Sequence, residues 1–188
     1  MIVMGIIGVD EAGRGAWAGP LVAAAVIIQR TSAFPFKYVR DSKLLTDEQR
    51  RRLFALLLSA CTIRFGVVSH VLIDRIGIQA ANVLAVDRAV QTILKQNCEV
   101  HCDHIGSFER LTTLSVPVTL YVNGESVLPE IAAASIAAKV LRDDLMLRFA
   151  DSFPAYDFEK HKGYGTKRHQ QALRAQGRSP LHRESFRF

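Results

Sequence analysis

The chain has 188 residues, 49% of them hydrophobic and 22% charged, a globular balance that excludes a disordered or fibrous protein and fits one domain. Its three cysteines, Cys61, Cys98 and Cys102, are too few for a disulfide scaffold and point to a reduced, intracellular setting. The net charge of +6 is uneven: residues 160–188 hold eight Lys/Arg against the one acid Glu184, a basic segment on a near-neutral body and so a candidate polyanion footprint.

The apolar start, Met1 to Val9, has no basic n-region and runs into Asp10-Glu11, so it does not read as a signal peptide. The longest uncharged run, Gly15 to Gln29, is broken by Gly19-Pro20 and falls short of the roughly 18 apolar residues of a membrane span. A cytoplasmic protein is expected.

Strand-like runs rich in Val and Ile cover Ile2–Val9 and Leu21–Ile28. Thr46 with Gln49 forms a capping-box pattern ahead of Leu53, Phe54, Leu56 and Leu57, which predicts a helix. A strand over Thr62–His70 is followed by a helix from about Ile78 to Lys95, with Val83, Val86, Val90, Ile93 and Leu94 on one stripe. Strands at Glu99–Asp103 and Val118–Val122 precede a long helix from about Pro129 to Ala150, which opens on the small residues Ala132, Ala133, Ala134 and Ser135. A last short helix starts near Thr166 and stops at Gly177. Strands alternating with helices after an opening strand pair indicate an α/β or α+β domain around a mixed sheet.

Strand one ends in Gly8-Val9-Asp10-Glu11-Ala12-Gly13-Arg14-Gly15. Two adjacent acids beside a buried run repel each other and lose hydration, so a cation is a natural partner. Gly13 and Gly15 allow a close backbone approach to a ligand; the alternative is an acidic turn capped by glycine. Asp103 would arrive near Asp10 if its strand lay parallel to and beside the first, at the sheet edge where α/β proteins bind ligands. Glu125, after another strand, could join them in a hard-oxygen site suited to Mg²⁺ or Mn²⁺. A zinc reading of Cys98, His101, Cys102 and His104 is weaker, because His101 falls on the opposite strand face from the other three. In the basic segment, His161-Lys162-Gly163-Tyr164-Gly165-Thr166-Lys167 sets a ring among cations, fit to stack on a sugar or base. Asp41-Ser42-Lys43 places a hydroxyl and a cation just before a helix, where a phosphate would be welcome.

Together these motifs resemble the bacterial ribonuclease HII family, the type 2 ribonucleases H. The matching pieces are the octet above, Asp41-Ser42-Lys43, Ala133-Ala134-Ser135-Ile136-Ala137-Ala138-Lys139-Val140 with Arg142-Asp143, His161-Lys162-Gly163-Tyr164, and His182-Arg183-Glu184-Ser185-Phe186. They occur in the family's order over nearly the whole chain, and Arg14 looks like type HII where the sister type HIII usually has lysine.

The resemblance implies an RNase H-like fold, a central mixed five-stranded sheet flanked by helices, with a basic substrate-binding segment over about residues 160–188. It implies a two-metal endonuclease, using Mg²⁺ or Mn²⁺, that hydrolyses the RNA strand of RNA–DNA hybrids. The same enzyme would cut duplex DNA on the 5′ side of an embedded ribonucleotide, leaving a 3′-hydroxyl and a 5′-phosphate, in ribonucleotide removal from DNA. On the matching positions Asp10, Glu11 and Asp103 would hold metal, while Gly13, Arg14 and Gly15 would read the ribose 2′-hydroxyl. Tyr164 would stack on the following deoxyribose, and Lys43, Ser135 and Lys139 would meet phosphates. A monomer is expected. Two departures stand out: His104-Ile105 separate Asp103 from Gly106, and Glu125 in Asn123-Gly124-Glu125 stands where the family usually has aspartate after Lys-Gly. Asp143 is the fallback fourth acid. These departures keep open the alternative of a junction-binding module that does not cut.

Overall fold

The computed structural model describes residues 5–29, 39, 45–94, 98–103, 113–114 and 116–187. Its strands are β1 (Gly5–Ala12), β2 (Leu21–Ile28), β3 (Cys61–Val68), β4 (Cys98–Asp103) and β5 (Val118–Tyr121). Its helices are α1 (Asp47–Ala60), α2 (His70–Ile76), α3 (Ile78–Gln91), α4 (Pro129–Ser152), α5 (Phe158–His161) and α6 (Lys167–Gln176). The strands form one sheet in the order β3-β2-β1-β4-β5. β1 pairs antiparallel with β2, and β2 with β3, whereas β1–β4 and β4–β5 are parallel. This is the expected mixed five-stranded sheet with helices on both faces.

Each face buries its own core. Ile7 and Val9 of β1, with Val100 and Cys102 of β4, pack against Val83, Val86 and Val90 of α3, the stripe that the helical spacing predicts. On the other face Ala24 and Val26 of β2 meet Ala133, Ala134 and Ala137 of α4 and Leu57 of α1. The small residues of α4 let it lie close over the sheet, and Gly8 completes that approach. A methyl group there would run into the backbone of Glu130. Gly8→Ala is therefore expected to cost about 1–3 kcal/mol, read from the urea unfolding midpoint.

Helix termini follow the sequence signals closely. The Thr46 hydroxyl accepts from the Gln49 N–H at 3.2 Å while the Gln49 side chain accepts from the Thr46 N–H at 3.0 Å, the full capping box of α1. Thr166 caps α6 through the His169 N–H, and Gly177, at φ 72°, ends it. The structure shortens the third strand. Ser69 accepts from the Leu72 N–H and starts α2 at His70, the last residue of the expected strand; α2 has no counterpart among the expected elements. α3 stops at Gln91, where the Thr92 hydroxyl turns back to the Ala89 carbonyl at 2.9 Å. Residues 2–4, 95 and 104–106 lie outside the described residues. Among the described residues no helix is long and apolar enough to cross a membrane.

Candidate active site

Strand alternation decides where the acids go. Successive side chains of a strand point to opposite faces. Ile7 and Val9 face α3 and Ala12 packs with α4, so Glu11 falls on the α3 side and Asp10 on the α4 side. Val9 is the register partner of Cys102, which makes Asp10 and Asp103 the next residues along two adjacent parallel strands. Cys98, Val100 and Cys102 point into the α3-side core, so Asp103 shares the face of Asp10. The same parity leaves both cysteines buried in that core and sends His101 the other way, to the Tyr121 hydroxyl at 2.9 Å, which removes the zinc arrangement.

A cleft of about 470 Å³ opens at this edge, lined by Asp10, Glu11, Ala12, Gly13, Arg14, Gly15, Arg50, Asp103, Ser135, Lys139 and Tyr164. Burial, and then the neighbouring charge of Glu11, hold the Asp10 carboxyl well above the usual carboxylate range, with Asp103 adding to the repulsion. Opposing this, the Glu11 N–H donates to Asp10 Oδ1 at 2.7 Å and the Ser135 side chain hydrogen-bonds the same carboxylate. Burial raises Glu11 as well, against the favourable charge of Arg14 and the side chain of Asn82. Asp103 Oδ1 accepts the Gly124 N–H at 2.8 Å.

Among the described residues no three acids, histidines or cysteines already converge as a metal cage. The donor set nevertheless fits a hard divalent cation. Three carboxylates share one cleft, two of them in mutual repulsion at a buried edge, and neighbouring strands stand only about 4.8 Å apart.

The loop after Glu11 is held rigidly. Gly13 has φ 99°, a conformation that favours glycine, and a Cβ there would meet the Arg142 side chain. The fully buried Arg183 donates to the carbonyls of Gly13 at 2.8 Å, Arg14 at 3.0 Å and Gly19 at 3.0 Å. Arg142, also fully buried, donates to the carbonyls of Pro20, Ala18 and Lys162. Its guanidinium lies 4.8 Å from the centre of the Tyr164 ring, and the Lys139 ammonium lies 5.1 Å from it. Ala16 forms a β-bridge with Tyr164, and the Trp17 N–H donates to the Gly163 carbonyl at 2.8 Å. The glycine loop and the tyrosine loop are thus one unit.

A buried histidine chain supports the tyrosine from behind. The Ser179 N–H can only donate, so Nδ1 of His182 accepts it at 2.8 Å and its Nε2 carries the proton. That Nε2–H donates to His169 Nε2 at 2.9 Å, and His169 Nδ1–H then donates to the Tyr164 carbonyl at 3.0 Å. His161 stacks on His169 with ring centres 4.2 Å apart. Burial lowers all three histidines, His169 to about 4. An unfolded histidine titrates near ~6.5, so this neutral cluster contributes stability that is complete above that pH and is lost as pH falls toward about 4. NMR titration is expected to find the His169 ring still neutral at ~pH 5; a midpoint near ~6.5 would contradict the arrangement.

The structure thus brings together Asp10, Glu11, Asp103, Gly13, Arg14, Gly15, Ser135, Lys139 and Tyr164. Lys43 and His104-Ile105 lie outside the described residues. Glu125 is buried in the short helical turn Gly124–Ser126 and does not line the cleft; its turn reaches the site through the Gly124 N–H on Asp103. Asp143 is taken by Lys139, 2.7 Å away, and also stands outside the lining. Arg50 joins the cleft unforeseen. It sits in the first turn of α1, donates to the Leu45 carbonyl at 2.8 Å, and had no sequence signal beyond being one of several helical cations.

A mixed five-stranded sheet of this order, with acids at the end of its central parallel pair, is the ribonuclease H-like fold. The ribonuclease HII of Archaeoglobus fulgidus, solved as a complex with PCNA, has this fold: TM-score 0.83 at 24% identity, covering 98% of this chain and 96% of that one. Bst-RNase HIII in complex with Mn²⁺ is similar at TM-score 0.70 and 21% identity, over 93% of this chain and 63% of that one. In sequence, the ribonuclease HII of Endomicrobium trichonymphae is 43% identical over 182 residues, 96% of this chain and 84% of that protein. The family model of ribonuclease HII matches residues 7–188. The chain belongs to the ribonuclease HII family, and it is a ribonuclease H, an endonuclease of the hydrolase class.

Proposed function

We propose that the protein hydrolyses the RNA strand of RNA–DNA hybrids and cuts duplex DNA on the 5′ side of an embedded ribonucleotide, leaving a 3′-hydroxyl and a 5′-phosphate. What carries this reading is the joint lining of one cleft by the acids, the Gly13-Arg14-Gly15 loop and the Tyr164 ring. The 2′-hydroxyl is the group that separates ribose from deoxyribose. A loop whose carbonyls are pinned by Arg183 presents its backbone to that hydroxyl at fixed depth, and a ring bridged to the same loop takes the next sugar.

Asp10, Glu11 and Asp103 hold Mg²⁺ or Mn²⁺ in this reading, and the manganese bound by Bst-RNase HIII supports a divalent requirement. Two such ions supply a water of lowered pKa and charge stabilisation at the leaving 3′-oxygen. The chain's own groups position the phosphate. Ser135 and Lys139 stand on the wall next to Asp10, and Arg50 adds a cation from α1. Lys43 is assigned to the same task from the resemblance alone. Glu125 is assigned as the fourth acid from the resemblance alone; its neighbour Gly124 donates its N–H to Asp103. Lys167, Arg174 and Arg187 are exposed along the basic segment and offer cations to the flanking duplex.

The test is a labelled DNA duplex carrying one ribonucleotide, beside an all-DNA duplex and a continuous hybrid, with Mg²⁺ or Mn²⁺ and an EDTA control. Metal-dependent cutting of the first and third, with the all-DNA duplex intact, is the expected result. Cutting of the hybrid alone would remove the junction assignment.

A further inference from the structure

Asn82 is fully buried on α3, and neither its amide nitrogen nor its carbonyl oxygen has a hydrogen-bond partner. A buried polar side chain without partners costs stability, so its presence calls for a reason. Its neighbours on that helix, Ala81, Val83, Ala85 and Val86, are all apolar core, and Asn82 alone in this stretch brings polar atoms inside.

Its place in the fold supplies the reason. Ile7 and Val9 contact the α3 layer, and Glu11 is the next β1 residue on that face. One turn earlier on α3, the Gln79 side chain accepts from Arg14 at 3.3 Å, so this part of the helix runs along the segment from Glu11 to Arg14. The Asn82 side chain thus neighbours the Glu11 carboxylate from the α3 side of the sheet. A carboxylate that holds a cation with one oxygen still needs a donor for the other, and a hard cation keeps waters that need acceptors. A single amide can serve both.

We propose that Asn82 is a positioning residue for Glu11: its amide is kept unpaired in the core so that it can orient the Glu11 carboxylate toward a divalent cation. This rests on the reading that Glu11 is a metal ligand. Stability is given up in the protein without metal and recovered in the site with metal.

Thr and Val have nearly the same shape, so Asn82→Thr and Asn82→Val separate hydrogen bonding from packing. The measurement is Mn²⁺ affinity of the substrate-free protein by titration calorimetry, with the thermal midpoint in EDTA beside it and Glu11→Gln as reference. Asn82→Val is expected to bind Mn²⁺ at least about tenfold more weakly, the scale of lost outer-shell partners. Its midpoint in EDTA is expected to equal or exceed that of Asn82→Thr, which should stay within about threefold of wild-type affinity. Equal Mn²⁺ affinity for wild type and Asn82→Val would overturn the assignment of Asn82 alone. Wild type and Glu11→Gln binding Mn²⁺ equally would overturn the metal reading of Glu11, and this proposal with it.

Discussion

Asp10→Asn is expected to lower cleavage by about 10²–10³-fold or more while raising the thermal midpoint of the protein in EDTA. Both effects have one cause. The carboxylate sits at a buried strand end beside Glu11 and Asp103, and burial together with the charge of Glu11 raises its pKa. The folded state therefore holds the Asp10 proton to higher pH than the unfolded chain does. Stability from this group is complete below the ordinary carboxylate range and is lost as pH rises through the raised value. Asparagine keeps the shape and removes the charge, so the variant should lack this decline. Thermal midpoints across pH in EDTA check it: wild type should fall behind the variant as pH rises. A variant that melts lower than wild type at every pH would contradict the electrostatic account. The histidine cluster acts in the opposite direction, losing stability toward acid, and it is common to both proteins.

The second large effect lies outside the acids. Arg183→Ala is expected to cost about 3–5 kcal/mol, because it deprives the buried carbonyls of Gly13 and Gly19 and the half-buried carbonyl of Arg14 of their donor. Arg183→Lys should recover little, since an ammonium cannot reproduce the planar fork that reaches three carbonyls at once. Burial lowers the Arg183 pKa to about 9, which still leaves the guanidinium charged at neutral pH. Urea unfolding gives the stability loss. In the folded fraction, discrimination between a ribonucleotide and a deoxyribonucleotide should weaken, because the loop assigned to the 2′-hydroxyl is no longer pinned. A loss under about 1 kcal/mol would mean that those carbonyls find other partners.

Much of the site was legible because strands and caps obey short-range rules. An apolar run ending in Asp10-Glu11 puts acids at a strand end, and two-residue alternation then separates them onto two faces. The adjacency of Asp103 needed one further condition, a parallel neighbour, which the β1–β4 pairing meets. The resemblance gathered Ser135, Lys139 and Tyr164 in advance, but not Arg50. What stayed hidden depends on tertiary burial. The short helix α2 went unforeseen: one Ser69 cap and the burial of Ile73 form it directly after the third strand. Nothing in the sequence marks Arg142 and Arg183 as buried carbonyl clamps, since arginine is usually a surface residue. The same holds for the histidine chain and for Asn82, whose meaning lies in what their ring and amide atoms meet. Glu125 shows the converse: its position after a strand marked it as an acid of the site, and the turn Gly124–Ser126 buries it outside the cleft lining.

The most direct test of the hydrolytic account is the position and chemistry of the cut in a duplex with one embedded ribonucleotide. Attack by water at the phosphate on the 5′ side leaves a 3′-hydroxyl on the DNA fragment and a 5′-phosphate on the ribonucleotide. Attack by the ribonucleotide's own 2′-hydroxyl can reach only the phosphate on its 3′ side and leaves a cyclic phosphate. Mass spectrometry of the fragments formed with Mg²⁺ or Mn²⁺ is expected to show the first pair of ends and no cyclic phosphate. A cut on the 3′ side with a cyclic end, or a cut that persists unchanged in EDTA, would contradict the assignment of Asp10, Glu11 and Asp103 as the groups that hold the catalytic cations.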